Sequence, residues 1–518
     1  MEHILVLDVP GIKEYVFGTE RLVEIRGASA LLDHLNREET QSFLKKKLGK
    51  ENVDCIFAGG GAAQFIIRAD ENELQAAVDG LKGYFHSESQ GGLRLISGHA
   101  ELKTGAYQEC LSRAFMQLNL EKDELPFEPC STIHTGFLRE CESCSSPASE
   151  IDNYADSLQI LCNVCHGKVE HEQKMPGLWK GFVEHLKSRG IANARRAKDF
   201  GDIGEASSKN GQLALVYADG NAMGRIVKSI DSPESFSFFS KTVDESIRAA
   251  CHEALYDCCI CKGGAADILL LGGDDLLVCM SADAAIPFAI AVAQKFEEMT
   301  KIRFAKEASK APAALKERGV SISTGIVFAK SHTPFSLLLE QAEELLKSAK
   351  KGGSACSNGN KFSPPSYLDF HFFSKLNQIK VADSRRKHLQ LNDIDITAEP
   401  ALKRCITLHQ KPYALNDAQR LYDLAARILE SGIPRSRFNR LGQAPFLGRM
   451  NGTLECLQLV GRARKEHKEL LWKALDDFGC GENIPWRKDK NGYSTMLVDL
   501  VELAGFISSK GKEDNEDA

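Results

Sequence analysis

The sequence predicts a mixed α/β (α+β) chain in which one βαββαβ unit occurs twice, and three observations carry that reading. Short apolar runs of strand length alternate with longer segments of helical spacing. In each half, two apolar runs fold back at a glycine cluster, Gly59-Gly60-Gly61 in one and Gly272-Gly273 in the other. The element order at the start of the chain then recurs in its second half. With 518 residues, 43% hydrophobic and 26% charged, the composition sits at globular averages, which excludes disorder, collagen or a coiled-coil rod for the chain as a whole.

His3 to Val9 is an apolar strand, Pro10-Gly11 a turn, and Ile12 through Leu35 helical. Cys55 to Ile67, interrupted by Gly59, Gly60 and Gly61, reads as a hairpin of two strands. Glu73 to Phe85 is helical and Leu93 to Ile96 a strand, which completes a ferredoxin-like βαββαβ order. In the second copy, Gln212 to Ala218 is a strand, Gly220 to Gly224 a turn and Phe236 to Leu255 helical. Ile268 to Met280 forms two strands around Gly272-Gly273, Ala285 to Thr300 is helical, Val320 to Phe328 a strand, and Pro334 to Lys351 a strongly periodic helix. A duplicated unit implies a paired interface between the copies. From about Leu376 the character changes. Helical spacing in Asp417 to Leu429, Leu454 to Leu475 and Thr495 to Ile507 predicts an all-α last third, ending in the acidic and disordered-looking tail Gly511 to Ala518.

No apolar stretch reaches the length of a membrane helix, and the start lacks the basic-then-apolar layout of a signal peptide, so a cytoplasmic protein is expected. Its 16 cysteines are then read as reduced thiols, metal ligands or small core residues before disulfides. The formal charge of −6, from 65 basic and 71 acidic residues, excludes a uniformly basic nucleic-acid binder; any such contact must come from a local patch.

The strongest chemical signal is Leu269-Leu270-Leu271-Gly272-Gly273-Asp274-Asp275-Leu276-Leu277-Val278. Two adjacent carboxylates between buried strands cost several kcal/mol per ion unless a cation compensates them, and Mg2+ or Mn2+ suits oxygen ligands. The glycines permit a tight hairpin whose backbone can approach a nucleotide. A third carboxylate, Asp219, ends the strand Gln212 to Ala218, and in a βαββαβ sheet that strand lies beside the hairpin. Three carboxylates can hold two hard cations, which clamp the attacking and leaving oxygens of a phosphoryl or nucleotidyl displacement. The competing reading is a pair of ordinary turns with solvated aspartates. Lys350, or Lys347 in another register, would reach a triphosphate from the last helix, unless it is simply a solvated lysine at a helix C-terminus.

Cys141-x-x-Cys144 and Cys162-x-x-Cys165 have the spacing of a four-thiolate Zn2+ site, which is structural because no ligand position stays open. Cys130, His134, His166 and His171 flank it as bystanders. Cys258, Cys259 and Cys261 lack a partner pair and read as a small apolar cluster. Between Ser431 and Lys468, Arg435, Arg437, Arg440, Arg449, Arg462, Arg464, Lys465 and Lys468 stand against Glu455 and Glu466. This excess would suit RNA phosphates, and it is equally the pattern of a solvated helical face.

In order along the chain, Asp219-Gly220-Asn221-Ala222-Met223-Gly224, Gly272-Gly273-Asp274-Asp275, Ser323-Thr324-Gly325-Ile326 with Pro334, and Ala342 through Lys350 resemble the palm domain of the type III CRISPR polymerase-cyclase large subunit. That palm is related to the GGDEF diguanylate cyclases and class III nucleotidyl cyclases. Asp8-Val9-Pro10-Gly11-Ile12 with Glu24-Ile25-Arg26-Gly27-Ala28-Ser29 is similar to the family's first palm. Cys141-Glu142-Ser143-Cys144 followed by Pro147-Ala148 is similar to its zinc segment, and Leu368-Asp369-Phe370 to its palm exit. The helical C-terminal third matches in character more than in motif.

The resemblance implies a non-catalytic first palm at 1–128, a zinc-binding segment with linker helices at 129–205, a catalytic GGDD palm at 206–375 and a helical C-terminal domain at 376–518. It implies condensation of ATP into cyclic oligoadenylates by 3′ to 5′ linkage, in CRISPR-type or related antiviral defence. Asp219, Asp274 and Asp275 would be the metal ligands, joined by the carbonyl of Gly220. Gly220, Asn221, Gly224, Gly272, Gly273, Lys347 and Lys350 would contact nucleotide, and Gly59, Gly60 and Gly61 would hold an acceptor ATP. Guide or target RNA and effector subunits would meet the C-terminal helices. Asn221 stands where many members carry a second Asp. The first hairpin has alanines where carboxylates would be. The nuclease domain that often precedes the first palm is not expected here, nor is DNA cleavage. Two other functions compete: an RNA-binding scaffold with a vestigial palm, disfavoured by three costly carboxylates, and a diguanylate cyclase, disfavoured by the zinc segment and the unequal palms.

Overall fold

A computed structural model describes residues 1–103, 105–123, 139–154, 157–174, 177–191, 196–208, 211–312, 315, 319–356, 364–373, 380–395, 402–488 and 492–507. Strands β1 (Glu2–Asp8), β2 (Val53–Gly59), β3 (Ala62–Arg68) and β4 (Ile96–Glu101) form an antiparallel sheet in the order β2-β3-β1-β4. A hairpin of β5 (Glu150–Tyr154) and β6 (Ser157–Leu161) stands in the cysteine segment. The second sheet holds β7 (Gln212–Gly220), β8 (Ala266–Gly272), β9 (Asp275–Ser281), β10 (Ile322–Lys330), β11 (Tyr367–Phe372) and the short β14 (Tyr413–Ala414), in the order β14-β11-β10-β7-β9-β8. Its β8-β9-β7-β10 core repeats the order of the first sheet, as the duplicated pattern predicts.

Alternation along the strands explains how the two palms share a core. Ala214, Val216, Ala218, Leu276, Val278 and Met280 pack against the helices Pro233–Cys258 and Ala285–Lys306, and that cluster runs on to Leu421, Leu424 and Ile428 of the C-terminal part. The opposite face, Leu213, Leu215, Tyr217, Leu277 and Cys279, joins one cluster with Leu5, Leu7, Phe65 and Ile67 of the first sheet. Each fully buried Val, Leu, Ile, Phe or Met among them contributes about 1.5–3 kcal/mol.

The helix Leu22–His34 ties the pieces together, and the quoted segment Glu24 to Ser29 shows how. Arg26 pairs with the buried Asp267 at the start of β8, and Ser29 Oγ donates to the Leu269 carbonyl at 2.6 Å. A Cβ at Gly27 would sit 1.7 Å from the Lys168 carbonyl oxygen, so only glycine lets the helix Asn163–Lys174 approach this closely.

Several elements differ from the sequence reading. The helical stretch Ile12 to Leu35 is broken into Ile12–Phe17 and Leu22–His34, and Leu454 to Leu475 into Arg449–Gly461 and Lys465–Asp477. Helices Thr40–Leu48 and Tyr107–Asp123 were not expected. The C-terminal part is helical, yet all-α is too simple. It also carries β12 (Gln390–Asp395), β13 (Leu402–Thr407), β15 (Arg487–Lys488) and β16 (Gly492–Ser494) in the order β12-β13-β16-β15. Strands of two to six residues show too few alternations to announce themselves. The acidic tail lies outside the described residues. No described helix is long and apolar enough to cross a membrane.

Candidate active site

The register of the second sheet brings the sequence-predicted carboxylates together. Asp219, on the last turnward pair of β7, lies directly opposite Asp275 at the start of β9, and Asp275 pairs in turn with Gly272 across the hairpin. Gly273 adopts φ +62° at the turn, a conformation glycine takes without steric cost. Asp274 packs against the end of β7: a Cβ added to Gly220 would lie 2.9 Å from the Asp274 Cβ. Both hairpin carboxylates are half-buried.

Their electrostatics follow from this crowding. Burial, then the nearby charge of Asp219, pushes Asp275 up to about 7. Asp274 is raised well above the usual carboxylate range by burial, by the charges of Asp219 and Asp275, and by a hydrogen bond with Asp219. Lys350 supplies the local counter-charge. Its ammonium pairs with Asp219 Oδ2 and donates to the Gly220 carbonyl at 3.1 Å. Lys347 is exposed; the register favours Lys350.

The remaining predicted residues divide. Gly272 and Gly273 form the turn itself. Asn221 is buried and its amide is consumed internally: Nδ2 donates to Ser321 Oγ at 3.0 Å and Oδ1 accepts from Ser323 Oγ at 2.9 Å. It therefore ties the loop after β7 to β10 through both ends of its amide. Gly224 is open and borders a cavity of about 670 Å3, lined by Gln108, Phe115 and Met116 of the helix Tyr107–Asp123 and by Val227 and Lys228. Gly60 faces the Gly272-Gly273 turn, since a Cβ there would lie 3.7 Å from the Gly272 carbonyl oxygen.

Residues that sequence reasoning missed also meet here. Lys13 of the first palm reaches Glu343 Oε1 on the last palm helix at 2.6 Å and lies 5.4 Å from the Tyr217 ring centroid. Asp33, Arg37, Asp244 and Arg248 form a charged group between the palms beside the turn. Burial alone would raise Asp244, but hydrogen bonding and charge from Arg37 outweigh it and hold the carboxyl below its usual range. The i,i+4 Asp and Arg spacing in both helices was readable; that the two pairs face each other was not.

Cys141, Cys144, Cys162 and Cys165 place their sulfurs within 4.8 Å of one another, with Cys144 Sγ and Cys162 Sγ 3.6 Å apart. Tetrahedral Zn–S bonds of about 2.3 Å put sulfurs about 3.8 Å apart, so this set fits a metal such as zinc. Hydrogen bonding from Cys165 pulls Cys162 down to about 4 while Cys165 is raised, as one sulfur keeps its proton and donates it to the other. Among the described residues this is the one cluster drawn in so tightly; the three aspartates, with Lys350 among them, are spread more widely. His171 is engaged with the Glu88 carbonyl, while Cys130 and His134 lie outside the described residues. Cys259 is buried in the second palm's core, apart from the sulfur cluster. Of the basic stretch, Arg440 pairs with Glu455 and Arg449 stacks on Tyr493.

Residues 212–356 match the family model of the Cas10/Cmr2 second palm domain. No curated protein matches the chain. Among solved structures, the Csm1–Csm4 cassette in complex with pppApApA aligns at a TM-score of 0.58 and 14% identity, covering 98% of this chain and 69% of that one. The cassette with cA4 aligns at 0.57 and 14%, with the same coverage, and Csm1 in T. onnurineus at 0.57 and 14%, covering 98% and 70%. At that identity the likeness is one of fold, and it extends from the first palm through the C-terminal part. The segment that carries Asp219, Asp274 and Asp275 thus matches the Cas10/Cmr2 second palm domain, in a chain whose fold is similar to that of Csm1.

Proposed function

We propose that this chain condenses ATP into cyclic oligoadenylates, a 3′-hydroxyl attacking an α-phosphate with release of pyrophosphate. The observation that carries the reading is the direct cross-strand pairing of Asp219 with Asp275, with Asp274 beside them, at a Gly-Gly turn that abuts the glycine turn of the first palm, which lacks that pair. Support comes from the family match over 212–356 and from solved Csm1–Csm4 structures that hold pppApApA, cA3 and cA4.

Three carboxylates and the Gly220 carbonyl are a hard-oxygen donor set suited to Mg2+ or Mn2+. Two such ions, when bound, lower the pKa of the attacking hydroxyl and neutralise charge on the α-phosphate and the leaving pyrophosphate. The chain's own part is positional. Asp219, Asp274 and Asp275 converge on one edge of the sheet, and the bare Gly272-Gly273 backbone admits a nucleotide. Lys350 exchanges Asp219 for phosphate oxygens, and Lys13 adds positive charge from the first palm. Gly59, Gly60 and Gly61 hold the acceptor ATP against backbone amides. Zn2+ on the four cysteines is structural. Effector subunits and RNA meet the C-terminal part, in the cytosol, as one assembly for antiviral defence.

Incubating the purified chain with ATP and Mn2+ or Mg2+ is expected to give cyclic adenylates on chromatography with mass detection. No product with either ion overturns the reading, and turnover of GTP alone favours a diguanylate-type enzyme instead.

A further inference from the structure

The charged group between the palms has an internal symmetry. Asp33 and Arg37 stand four residues apart on the first palm's helical segment, and Asp244 and Arg248 four residues apart on the helix Pro233–Cys258. Each arginine reaches both aspartates. Arg37 grips Asp244 through Nη2 to Oδ1 at 2.6 Å and Nη1 to Oδ2 at 3.1 Å, and Asp33 through Nε at 2.7 Å. Arg248 donates to Asp33 Oδ1 at 3.2 Å and to Asp244 Oδ2 at 3.3 Å.

From this ring two hydrogen bonds run to the catalytic hairpin, one on each side of Gly272. The Gly273 amide donates to Asp244 Oδ1 at 3.0 Å, and Arg248 Nη2 donates to the Leu271 carbonyl at 2.8 Å. Arg37 also wedges between the two glycine turns: a Cβ at Gly59 would lie 3.2 Å from its Nη2, and one at Gly272 3.5 Å. The ring is only partly exposed, with Asp244 at 13% and Arg248 at 24%, so water does not readily substitute for these bonds.

We propose that Asp244, oriented by Arg37 and Arg248, is a positioning residue that pins the Gly272-Gly273 turn and so holds Asp274 and Asp275 converged with Asp219, which makes the first palm a brace for the second palm's cation site. The physical need is plain. Three carboxylates at one sheet edge repel one another, and a two-residue turn with φ +62° at Gly273 has little rigidity of its own. A restraint from outside the hairpin keeps the carboxylates together before cations arrive. The consequence for catalysis rests on the cyclase reading; the pinning itself does not.

The first test is hydrogen exchange on the full chain without nucleotide or added divalent ions. In Asp244→Ala and Arg37→Ala, peptides spanning residues 269–277 should exchange at least about tenfold faster, while those of β10 stay unchanged. The second is Mn2+ binding followed by electron paramagnetic resonance: each variant should need about tenfold more Mn2+ for half-saturation, and the double variant no more than Asp244→Ala alone, because Arg37 acts through Asp244. Asp244→Asn keeps an acceptor for the Gly273 amide and should fall between. It carries the test if the alanine variant does not fold. Unchanged exchange in 269–277, or Mn2+ binding within twofold of the parent, overturns the proposal, as does additivity of the two alanine substitutions. A parent chain that makes no cyclic adenylate while these shifts are seen sinks the cyclase reading and leaves the brace standing.

Discussion

The two palms differ less in backbone than in what the backbone carries. β2-β3-β1-β4 and β8-β9-β7-β10 have the same order, and the hairpins have the same register, Gly59 opposite Ala62 and Gly272 opposite Asp275. Gly60 and Gly273 take nearly the same φ, +63° and +62°. Asp8 lies opposite Ala62 as Asp219 lies opposite Asp275. The first palm therefore keeps one carboxylate of three, with Gly61 and Ala62 in the places of Asp274 and Asp275, one position earlier than the alanine pair read from sequence. The fold needs the turn glycine and not the acids. Carboxylates that the architecture does without, and that raise each other's pKa where present, are what the proposed chemistry calls for and folding does not.

The largest expected effect tests that contrast head on. Asp274→Ala with Asp275→Ala gives the second palm the first palm's bare turn. We expect product formation from ATP to drop at least about 1000-fold, while the metal-free melting temperature at pH 8 rises, since repelling charges leave a site that function alone requires. A lowered melting temperature would mean that the aspartates are part of the scaffold, and the contrast between the palms would fail.

Next in size is the segment that only the first palm carries. Buried Glu24 accepts from Ser143 at 2.5 Å, and Val23 packs with Cys141, Cys162 and Cys165. Metal analysis should find about one zinc per chain. Cys162→Ser with Cys165→Ser should release it and lower the melting temperature by roughly 5 °C or more, as expected when a docked, metal-closed segment loosens. Absence of zinc in the parent would remove the site.

Much of this was legible in the sequence, for identifiable reasons. The duplicated unit, the Asp219 and GGDD convergence and the paired cysteines each rest on local patterns: strand alternation, glycines at turns, fixed thiol spacing. What was hidden depends on which faces meet. Asn221 is a nucleotide contact only by resemblance, and Ser321 and Ser323, about a hundred residues on in sequence, bond both ends of its amide. Arg37 and Lys13 look like ordinary surface cations until the palms are docked. In the C-terminal part β15 and β16 stayed hidden because they span only two and three residues.

A smaller effect probes whether the first palm is merely short of acids or closed to them. Gly61 has φ +87°, and a Cβ there would lie 1.9 Å from Ile12 Cδ1. Gly61→Asp with Ala62→Asp should therefore cost about 2 kcal/mol, read as a lower denaturant midpoint. Adding Ile12→Ala should recover part of that loss relative to the sum of the separate changes. An unchanged midpoint in Gly61→Asp/Ala62→Asp would show that Ile12 does not bar the position.

The finest distinction is in pH dependence, where the palms should behave differently in the absence of divalent ions. Asp275 is raised to about 7 and Asp274 well above its ordinary range, so between pH 4 and 7 the folded chain binds protons there that the unfolded chain has already released. Stability follows the protons bound by the unfolded state minus those bound by the native one, and that difference is negative in this window. The contribution is thus fully present below about pH 4 and is lost as pH rises through 7. Asp8 is also raised by burial, partly offset by the charge of Lys122, but it stands alone and its share is smaller. We therefore expect the metal-free melting temperature to fall from pH 5 to pH 8, Asp275→Asn to flatten that slope, and Asp8→Asn to change it much less. Mn2+ should restore stability most at pH 8, because it takes the place of the lost protons. Equal flattening by Asp8→Asn and Asp275→Asn would mean that crowding of the second palm's carboxylates is not what sets the slope.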